Sequence, residues 1–274
     1  MNPGIYYGIP NETYHAGDGV SKSQLDMVAQ SPALLKWQRA APVDEEKLQA
    51  LDMGSAIHCL LLEPDEFKNR FIVAPPLNLR TNAGKEAKSK FLADCASTGK
   101  TVMDNEDGRK LELMRGSALA HPAARWLLDS DGYNEASIYW QDEETEELCR
   151  IRPDRYLKDR PVIVDVKKVA DMERFARHIE EFRYHVQDAM YSDGFYQHFN
   201  EHPTFVFIAI SETIDCGRYP VRVFELEPED KATGYDLYRR DLLSYHNART
   251  SGNWGGIEKI TRPAWAKRKE RNYE

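Results

Sequence analysis

Cysteine is scarce in this chain of 274 residues, and no two cysteines form a C-x-x-C pair. The four occur far apart, at Cys59, Cys95, Cys149 and Cys216. Structural zinc sites and disulfide frameworks use closely spaced or regularly repeated cysteines. Neither is expected here, and we interpret all four as small buried residues or free thiols.

A long apolar run is also missing. No segment approaches the roughly 20 apolar residues that span a bilayer. The first residues contain neither a basic start nor a long apolar stretch, so a signal peptide is not expected. The composition, 41% hydrophobic and 30% charged, is that of a folded protein. We therefore expect a cytoplasmic protein without a membrane partner.

The chain has no excess of positive charge, because its formal net charge is -8. This argues against a simple non-specific nucleic-acid coat protein, but not against an enzyme that gathers carboxylates around a metal ion. Basic residues do concentrate locally, either as solvated faces or as contacts to a nucleic acid. They are Arg150, Arg152, Arg155, Lys158 and Arg160, then Lys167 and Lys168, and a tail from Arg262 to Arg271.

Hydrophobic periodicity predicts the secondary structure. Helices are expected over 21–39, 49–62, 82–97, 105–128, 172–200 and 228–247, and strands over 135–140, 148–154, 161–167, 204–210 and 221–226. Pro32 is expected to break or restart the first of these helices. This order predicts one α/β domain with a mixed central sheet flanked by helices. Its parts are a mostly helical N-terminal part (1–130), an α/β core (131–250) and a polar C-terminal extension (251–274).

Two acidic residues face each other in a predicted hairpin. If the strands pair antiparallel about a turn at Asp159-Arg160, Asp154 lies opposite Asp165. Opposite residues have Cβ atoms roughly 4.5–5.5 Å apart, and two carboxylates at that distance repel. A divalent cation bound between the two carboxylates would replace this repulsion with attraction of both groups to the cation. Oxygen ligands suit Mg²⁺, with Mn²⁺ as a substitute.

Lys167 follows Asp165 by two residues and therefore lies on the same face of the strand. An ammonium group beside a metal ion could orient an attacking water or stabilise charge at a phosphate. A D…D-x-K match is weakly specific, and its alternative is a surface Asp with an ordinary strand Lys. An acid within the apolar run VIVDVK favours the functional interpretation, because buried charge needs a partner. The carbonyl of Val166, between the two motif residues, could also bind a cation.

Four more residues are candidates that also have plain structural explanations. Gln187 and Tyr191 share one helix face and could hold a nucleotide or order the metal-site side chains, but they also fit a polar patch on a core helix. His58 could bind the cation, although a lone His on an apolar helix is more often a packed core residue. Glu135 could be an outer carboxylate, although an exposed Glu at a strand end is the commoner case.

The spacing of these candidate residues forms a set of motifs. The set Gly54-x-x-x-His58, Asp154, Asp165-x-Lys167 and Gln187-x-x-x-Tyr191 resembles the PD-(D/E)XK nuclease superfamily, in its RecB-like branch. Over nearly the whole chain, further stretches resemble the C-terminal nuclease domain of the exonuclease VIII (RecE) family. They are GIPNETYH, SKSQLD, NRFIVAPP, RTNAGKEAK, CASTGKTV, RYHVQDAMYSDG and IDCGRYPV. Lys168 departs from that pattern, because relatives commonly have a small or polar residue there.

The resemblance implies an exonuclease, dependent on Mg²⁺, that degrades linear double-stranded DNA from 5′ to 3′ and leaves a 3′ single strand for recombination. It also implies a bacterial or phage-encoded homotetramer with a RecT-type single-strand annealing partner. By this resemblance the metal ligands are His58, Asp154 and Asp165, Lys167 is catalytic, and Gln187 and Tyr191 match the accessory motif. A catalytically inactive DNA-binding or assembly module and a site-specific endonuclease are the alternatives, and the intact carboxylates and Lys favour an enzyme.

Overall fold

In this computed structural model the structure describes residues 1–44, 53–264 and 266. Residues 1–130 are mostly helical, with three short strands. Their elements are β1 (Gly4–Tyr6), α1 (Asn11–Ala16), α2 (Lys22–Gln30), α3 (Pro32–Ala40), α4 (Met53–Leu62), α5 (Pro64–Arg70), β2 (Phe71–Val73), α6 (Asn82–Ala96), β3 (Thr101–Met103), α7 (Asn105–Ala120) and α8 (Pro122–Asp129). The first four residues of the helix expected over 49–62 lie outside the described residues.

Proline divides two of the segments that the sequence predicts as helical. The expected helix over 21–39 ends at Gln30, and Pro32 begins α3. The expected helix over 105–128 ends at Ala120, and Pro122 begins α8. Proline has no backbone N–H to donate within a helix, but it fits the first helical position, where that donor has no helical partner. The break at Pro32 is the one expected from the sequence, whereas the prediction of 105–128 as a single helix was wrong.

The second half of the chain forms the α/β core. Its elements are β4 (Gly132–Asn134), β5 (Ser137–Gln141), β6 (Leu148–Ile151), β7 (Arg155–Leu157), β8 (Val162–Val169), a 3-10 turn (Met172–Arg174), α9 (Phe175–Glu181), α10 (Tyr184–Phe199), β9 (Thr204–Ser211), β10 (Val221–Phe224) and α11 (Pro228–Ser251). The described residues after α11 are exposed except for the half-buried Trp254 and Ala266.

The central sheet has the strand order β10-β9-β8-β7-β4. Strands β8 and β9 run parallel, whereas the other neighbouring pairs run antiparallel. The mixed sheet expected from the sequence is therefore confirmed. A separate three-stranded sheet has the order β1-β5-β6, and β2 and β3 form a parallel pair.

The hairpin register agrees with the sequence prediction. Arg155 pairs with Val164 and Tyr156 with Ile163, so continuing the register by one residue sets Asp154 opposite Asp165. The expected strand over 148–154 is wrong at its end, because β6 stops at Ile151 and pairs with β5 in the other sheet. Residues 152–154 carry the chain from the three-stranded sheet to the central one.

The long helix expected over 172–200 is also interrupted. A 3-10 turn and α9 precede α10, and Arg183 between them has a left-handed backbone with φ 54°. A non-glycine residue rarely adopts this conformation, and here it ends one helix and redirects the chain into the next.

Helices cover both faces of the central sheet. On one face, Val164 and Val166 of β8 pack with residues of α4, α7 and α8. On the other, Ile163 and Phe207 pack with residues of α9 and α10. A third apolar cluster joins α2, α3, α10 and α11 to β5 and β6. Alternation along β8 therefore sends Asp165 and Lys167 towards α10.

Three of the four arginines around the hairpin are internal, which removes these three from the possible nucleic-acid contacts. Arg150 donates to the carbonyls of Tyr14, His15 and Gly17. Arg152 bonds to Ser137 and to the carbonyl of Ile9. Arg155 bonds to Asn134 and to the carbonyls of Leu127 and Ser130. All three are buried. Their guanidinium groups hold neighbouring loops against the sheet, because buried carbonyl groups need hydrogen-bond donors.

Of the four cysteines, all free, Cys216 is exposed and the other three are buried. This confirms the interpretation from their spacing. Within the described part of the chain, no helix combines the length and the apolar character needed to cross a bilayer.

Candidate active site

Residues from four segments meet at the middle of β8. Asp165 and Lys167 lie within β8, and Asp154 immediately precedes β7. His58 comes from α4 and Gln187 from α10, the helices that cover opposite faces of the sheet. The structure therefore brings together residues that are separated by up to 129 positions in the sequence.

Asp154 and His58 surround the backbone of Val166. The Val166 N–H donates to Asp154 Oδ2 at 2.6 Å. His58 Nδ1 lies 3.4 Å from the same carboxylate oxygen, and His58 Nε2 contacts the Val166 carbonyl oxygen. The His58 ring therefore lies between two oxygen atoms that were both expected to bind a cation.

Lys167, Asp165 and Gln187 form a closed triangle of polar contacts. Lys167 Nζ lies 2.7 Å from Asp165 Oδ2 and donates to Gln187 Oε1 at 2.9 Å. Gln187 Nε2 donates to Asp165 Oδ1. Lys167 Nζ is also 4.5 Å from the centre of the Tyr184 ring, a cation–π contact. Together these contacts fix the direction of the Lys167 ammonium group.

Tyr191 lies one helical turn after Gln187 and is half-buried against the apolar core. Its ring centre is 6.0 Å from that of Phe205. Burial raises the pKa of its hydroxyl well above the usual value, and Asp165 and Asp154 raise it further. The hydroxyl thus stays protonated beside the carboxylates.

Glu135 also belongs to this group, contrary to the expectation of an exposed strand-end residue. It is half-buried, and its N–H donates to the Asp154 carbonyl oxygen at 3.1 Å. One ligand atom each from His58, Glu135 and Asp154 lie within 4.8 Å of one another. The pairing of Asn134 with Arg155 explains this position, since one further step sets Glu135 opposite Asp154. That strand pairing was the missing signal, because β4 has three residues and lacks a run of β-branched side chains.

The electrostatics of the group favour positive charge at its centre. Burial lowers the pKa of His58, but Asp154 and then Asp165 raise it to about 9. Burial, reinforced by Asp154, raises the pKa of Glu135 to about 8. Asp154 has a lowered pKa, because His58 and Lys167 outweigh its burial. A protonated imidazole thus lies between carboxylate and carbonyl oxygens, as a cation would.

A divalent metal ion fits this set of donors. Carboxylate and carbonyl oxygens suit Mg²⁺ and Mn²⁺, and an imidazole nitrogen is compatible with Mn²⁺. The side chains that could hold the ion are those of Asp154, Asp165, His58 and Glu135, together with the Val166 carbonyl. Burial strengthens the mutual repulsion of the carboxylates, and the positive charge of a bound metal ion would relieve it.

An open cleft of about 850 Å³ adjoins Lys167 and Gln187 between α2 and α10. Its cations are paired with acids: Lys22 with Asp26 at 2.7 Å, and Arg183 with both Asp26 and Asp241. The cleft gives solvent and a ligand access to the Lys167 side of the site.

The sequence over residues 21–245 matches the family described as a PDDEXK-like domain of unknown function (DUF3799). That span includes most of the chain and every candidate site residue, and the chain belongs to this family. The nuclease class expected from the motifs is therefore confirmed at the level of the PD-(D/E)XK fold. No curated protein matches the sequence.

Two solved structures are similar to this chain. One is the crystal structure of a protein from Eubacterium rectale that is provisionally named an exonuclease; it has a TM-score of 0.57 and 11% identity, over 93% of this chain and 97% of that one. At this identity the similarity shows the fold alone. The other, the crystal structure of SSO0001, has 12% identity over 81% of this chain and 85% of that one, with a TM-score of only 0.27.

Proposed function

We propose that this protein is a metal-dependent exodeoxyribonuclease that degrades linear double-stranded DNA from 5′ to 3′ and leaves a 3′ single strand. The observation that carries the proposal is the meeting of Asp154, just before β7, with Asp165 and Lys167 of β8, and with His58 and Glu135 beside Asp154. Membership of a PDDEXK-like family supports hydrolysis of a nucleic-acid phosphodiester. The whole chain, with its helical part, α/β core and polar extension, would act as one nuclease domain.

The polar side chains would have different roles in hydrolysis. Asp154, Asp165, His58 and the Val166 carbonyl would hold Mg²⁺, with Glu135 as a further ligand. The bound ion would supply a more acidic water and neutralise charge at the scissile phosphate. Lys167 would orient the attacking water or stabilise the negative charge that develops at the phosphate.

Gln187 and Tyr191 would act through these residues. Gln187 contacts both Lys167 and Asp165, and so it would keep the ammonium group aimed at the reacting phosphate. Tyr191 would support the same wall of the site through its packing on Phe205. Such positioning matters because small displacements of a catalytic group reduce rates strongly.

Exonuclease polarity and assembly are proposed from the resemblance to the RecE family. The net charge of -8 leaves little bulk attraction for DNA, so a lone subunit would dissociate after few cleavages. A closed homotetramer would retain the DNA topologically, because the strand would be threaded through the ring. Its nuclease activity would depend on Mg²⁺. A RecT-type annealing protein would then receive the 3′ single strand, in the cytoplasm of a bacterium or a phage-infected cell.

One experiment tests these features together. Linear duplex DNA labelled at either the 5′ or the 3′ ends, and covalently closed circular duplex, would be incubated with the protein and increasing Mg²⁺. We expect early release of 5′ label, resistance of the closed circle and no digestion in EDTA. Light scattering should give a mass about four times 31.6 kDa. Rapid cutting of closed circles would instead identify an endonuclease, and absence of cleavage with either Mg²⁺ or Mn²⁺ an inactive DNA-binding or assembly module.

A further inference from the structure

Two exposed aromatic side chains, Tyr7 and Tyr133, are in contact at the β4 edge of the central sheet, and a third, Trp126, lies on α8. Tyr7 is 53% exposed, Trp126 48% and Tyr133 36%. The rings of Tyr7 and Tyr133 lie with their centres 4.6 Å apart and their planes 35° apart. Single exposed aromatic residues are common on protein surfaces, but a group of them usually marks a contact with a ligand or partner.

Cations are interleaved with these rings. Lys158 Nζ lies 4.9 Å from the centre of the Tyr133 ring, and the Arg160 guanidinium carbon lies 5.6 Å from the Trp126 ring. Both cations come from the turn between β7 and β8. Alternation of aromatic faces and cations is the arrangement that binds single-stranded nucleic acid, with bases stacked on the rings.

The tyrosine pair is held rigidly before any ligand binds. The hydroxyl groups of Tyr7 and Tyr156 are hydrogen-bonded at 2.8 Å, and Tyr156 is buried. The Tyr133 ring lies 5.3 Å from the Tyr156 ring, and the two residues are partners across β4 and β7. Binding of a ligand that stacks on Tyr7 or Tyr133 would therefore cost little side-chain entropy.

The pair is also close to the candidate active site along the chain. Tyr133 precedes Glu135 by two residues and Tyr156 follows Asp154 by two residues. Two residues of extended strand cover about 7 Å. A DNA strand whose phosphate lies at Asp154 and Asp165 therefore has this edge of the sheet within reach of its neighbouring nucleotides.

We propose that Tyr7 and Tyr133 form a stacking platform for unpaired bases of single-stranded DNA next to the active site. The inference rests on the proposed nuclease function and identifies the form of DNA that one end of the site accepts. Stacking is favoured over phosphate attraction because the local charges balance. Lys158 is paired with Asp131 at 2.9 Å and Arg125 with Asp129 at 3.1 Å, and Asp159 lies beside Arg160 in the turn.

The test measures binding without cleavage. A fluorescein-labelled oligothymidylate and an abasic oligonucleotide of the same length would be titrated with the protein in EDTA, using fluorescence anisotropy. Wild-type protein should bind the oligothymidylate more tightly than the abasic strand. Tyr133→Leu should weaken oligothymidylate binding roughly tenfold, because one base stacked on an aromatic ring contributes about 1–3 kcal/mol, and should leave abasic binding unchanged.

Tyr235→Leu is the matched control, because Tyr235 is 47% exposed on α11; it should bind like wild type. Tyr7→Phe keeps the ring but loses the hydrogen bond to Tyr156, so it should bind the oligothymidylate more tightly than Tyr7→Leu and no more tightly than wild type. If Tyr133→Leu fails to fold in a thermal melt, Tyr7→Leu decides the question alone.

Equal binding of both oligonucleotides by wild type, or unchanged binding by folded leucine variants, would overturn the platform. The nuclease proposal is judged separately, by digestion of duplex DNA by wild-type protein in Mg²⁺. Loss of base-dependent binding with digestion intact would refute the platform alone, and the reverse result would refute the nuclease alone.

Discussion

Lys167 and Asp165 form an ion pair inside the sheet, with Nζ 2.7 Å from Oδ2. Asp165 is only 2% exposed, so this cation is its main compensation when no metal is bound. Removing one partner of a buried pair leaves an uncompensated charge, which commonly costs about 3–5 kcal/mol. The two residues therefore link the stability of the fold to the chemistry of the site.

Lys167→Ala and Asp165→Ala are each expected to abolish nuclease activity, with at least a roughly 100-fold loss for the Lys change. Lys167→Ala should also lower the melting temperature in EDTA, whereas Asp165→Ala should do so less, since it removes the acid with an elevated pKa. Digestion of labelled duplex and thermal melting would measure both effects. Lys168→Ala is the control, because Lys168 pairs with Glu212 instead. Wild-type rates in either of the two site variants would exclude them from catalysis.

His58→Ala should raise the Mg²⁺ or Mn²⁺ concentration needed for half-maximal activity. In metal-free protein its effect on stability should depend on pH. The pKa of His58 rises from 6.5 to about 9 on folding, so its stabilising contribution is complete below pH 6.5 and disappears as the pH rises through 9. Melting curves in EDTA across that range should converge for wild type and variant at the alkaline end. A pH-independent melting difference with unchanged metal dependence would show that His58 only packs.

Glu135→Gln should have opposite effects with and without metal. Folding raises the pKa of Glu135 from 4.5 to about 8, so ionisation of this carboxyl destabilises the metal-free fold increasingly as the pH rises between those values. The amide cannot ionise, and the variant should melt above wild type in EDTA at alkaline pH. With Mg²⁺ it should need more metal for activity. An exposed Glu outside the site would give neither result.

Gly234→Ala should destabilise the protein by about 3 kcal/mol, as an overpacked contact does. A Cβ at Gly234 would lie 2.1 Å from the carbonyl oxygen of His185, so α10 and α11 would have to separate. Gly116→Ala provides the contrast, since a Cβ there meets nothing within 4 Å. Alanine is the better helix former, and this exposed change in α7 should stabilise by roughly 1 kcal/mol. Denaturant unfolding of both variants would show the opposite signs.

The hairpin register was predictable from the sequence because a polar turn separates two strands of clear character. Once Asp159-Arg160 is taken as the turn, Asp154 and Asp165 must face each other, and Arg155 indeed pairs with Val164. The spacing of Gln187 and Tyr191 likewise fixes a shared helix face. Local patterns of this kind determine pairs of residues within one element or one hairpin.

Other features depend on contacts between distant segments, which periodicity does not encode. Glu135 joins the site through pairing of the three-residue strand β4 with β7, and β4 is too short to give a hydrophobic pattern. The burial of Arg152 depends on the Ile9 carbonyl and Ser137, so a charged residue that suggests a surface is internal. His58 could be placed beside Asp154 only by the motif resemblance, because 96 positions separate them.

Asp154 lies at the end of the short connection by which the chain leaves the three-stranded sheet and enters the central one. Its carboxylate bonds to β8, while the preceding Arg152 is secured to the three-stranded sheet through Ser137. A shift of one sheet against the other would therefore change the spacing of Asp154 and Asp165. Helices α2 and α11 pack on the three-stranded sheet, so a displacement of these helices would change the spacing of the two carboxylates without any contact to them.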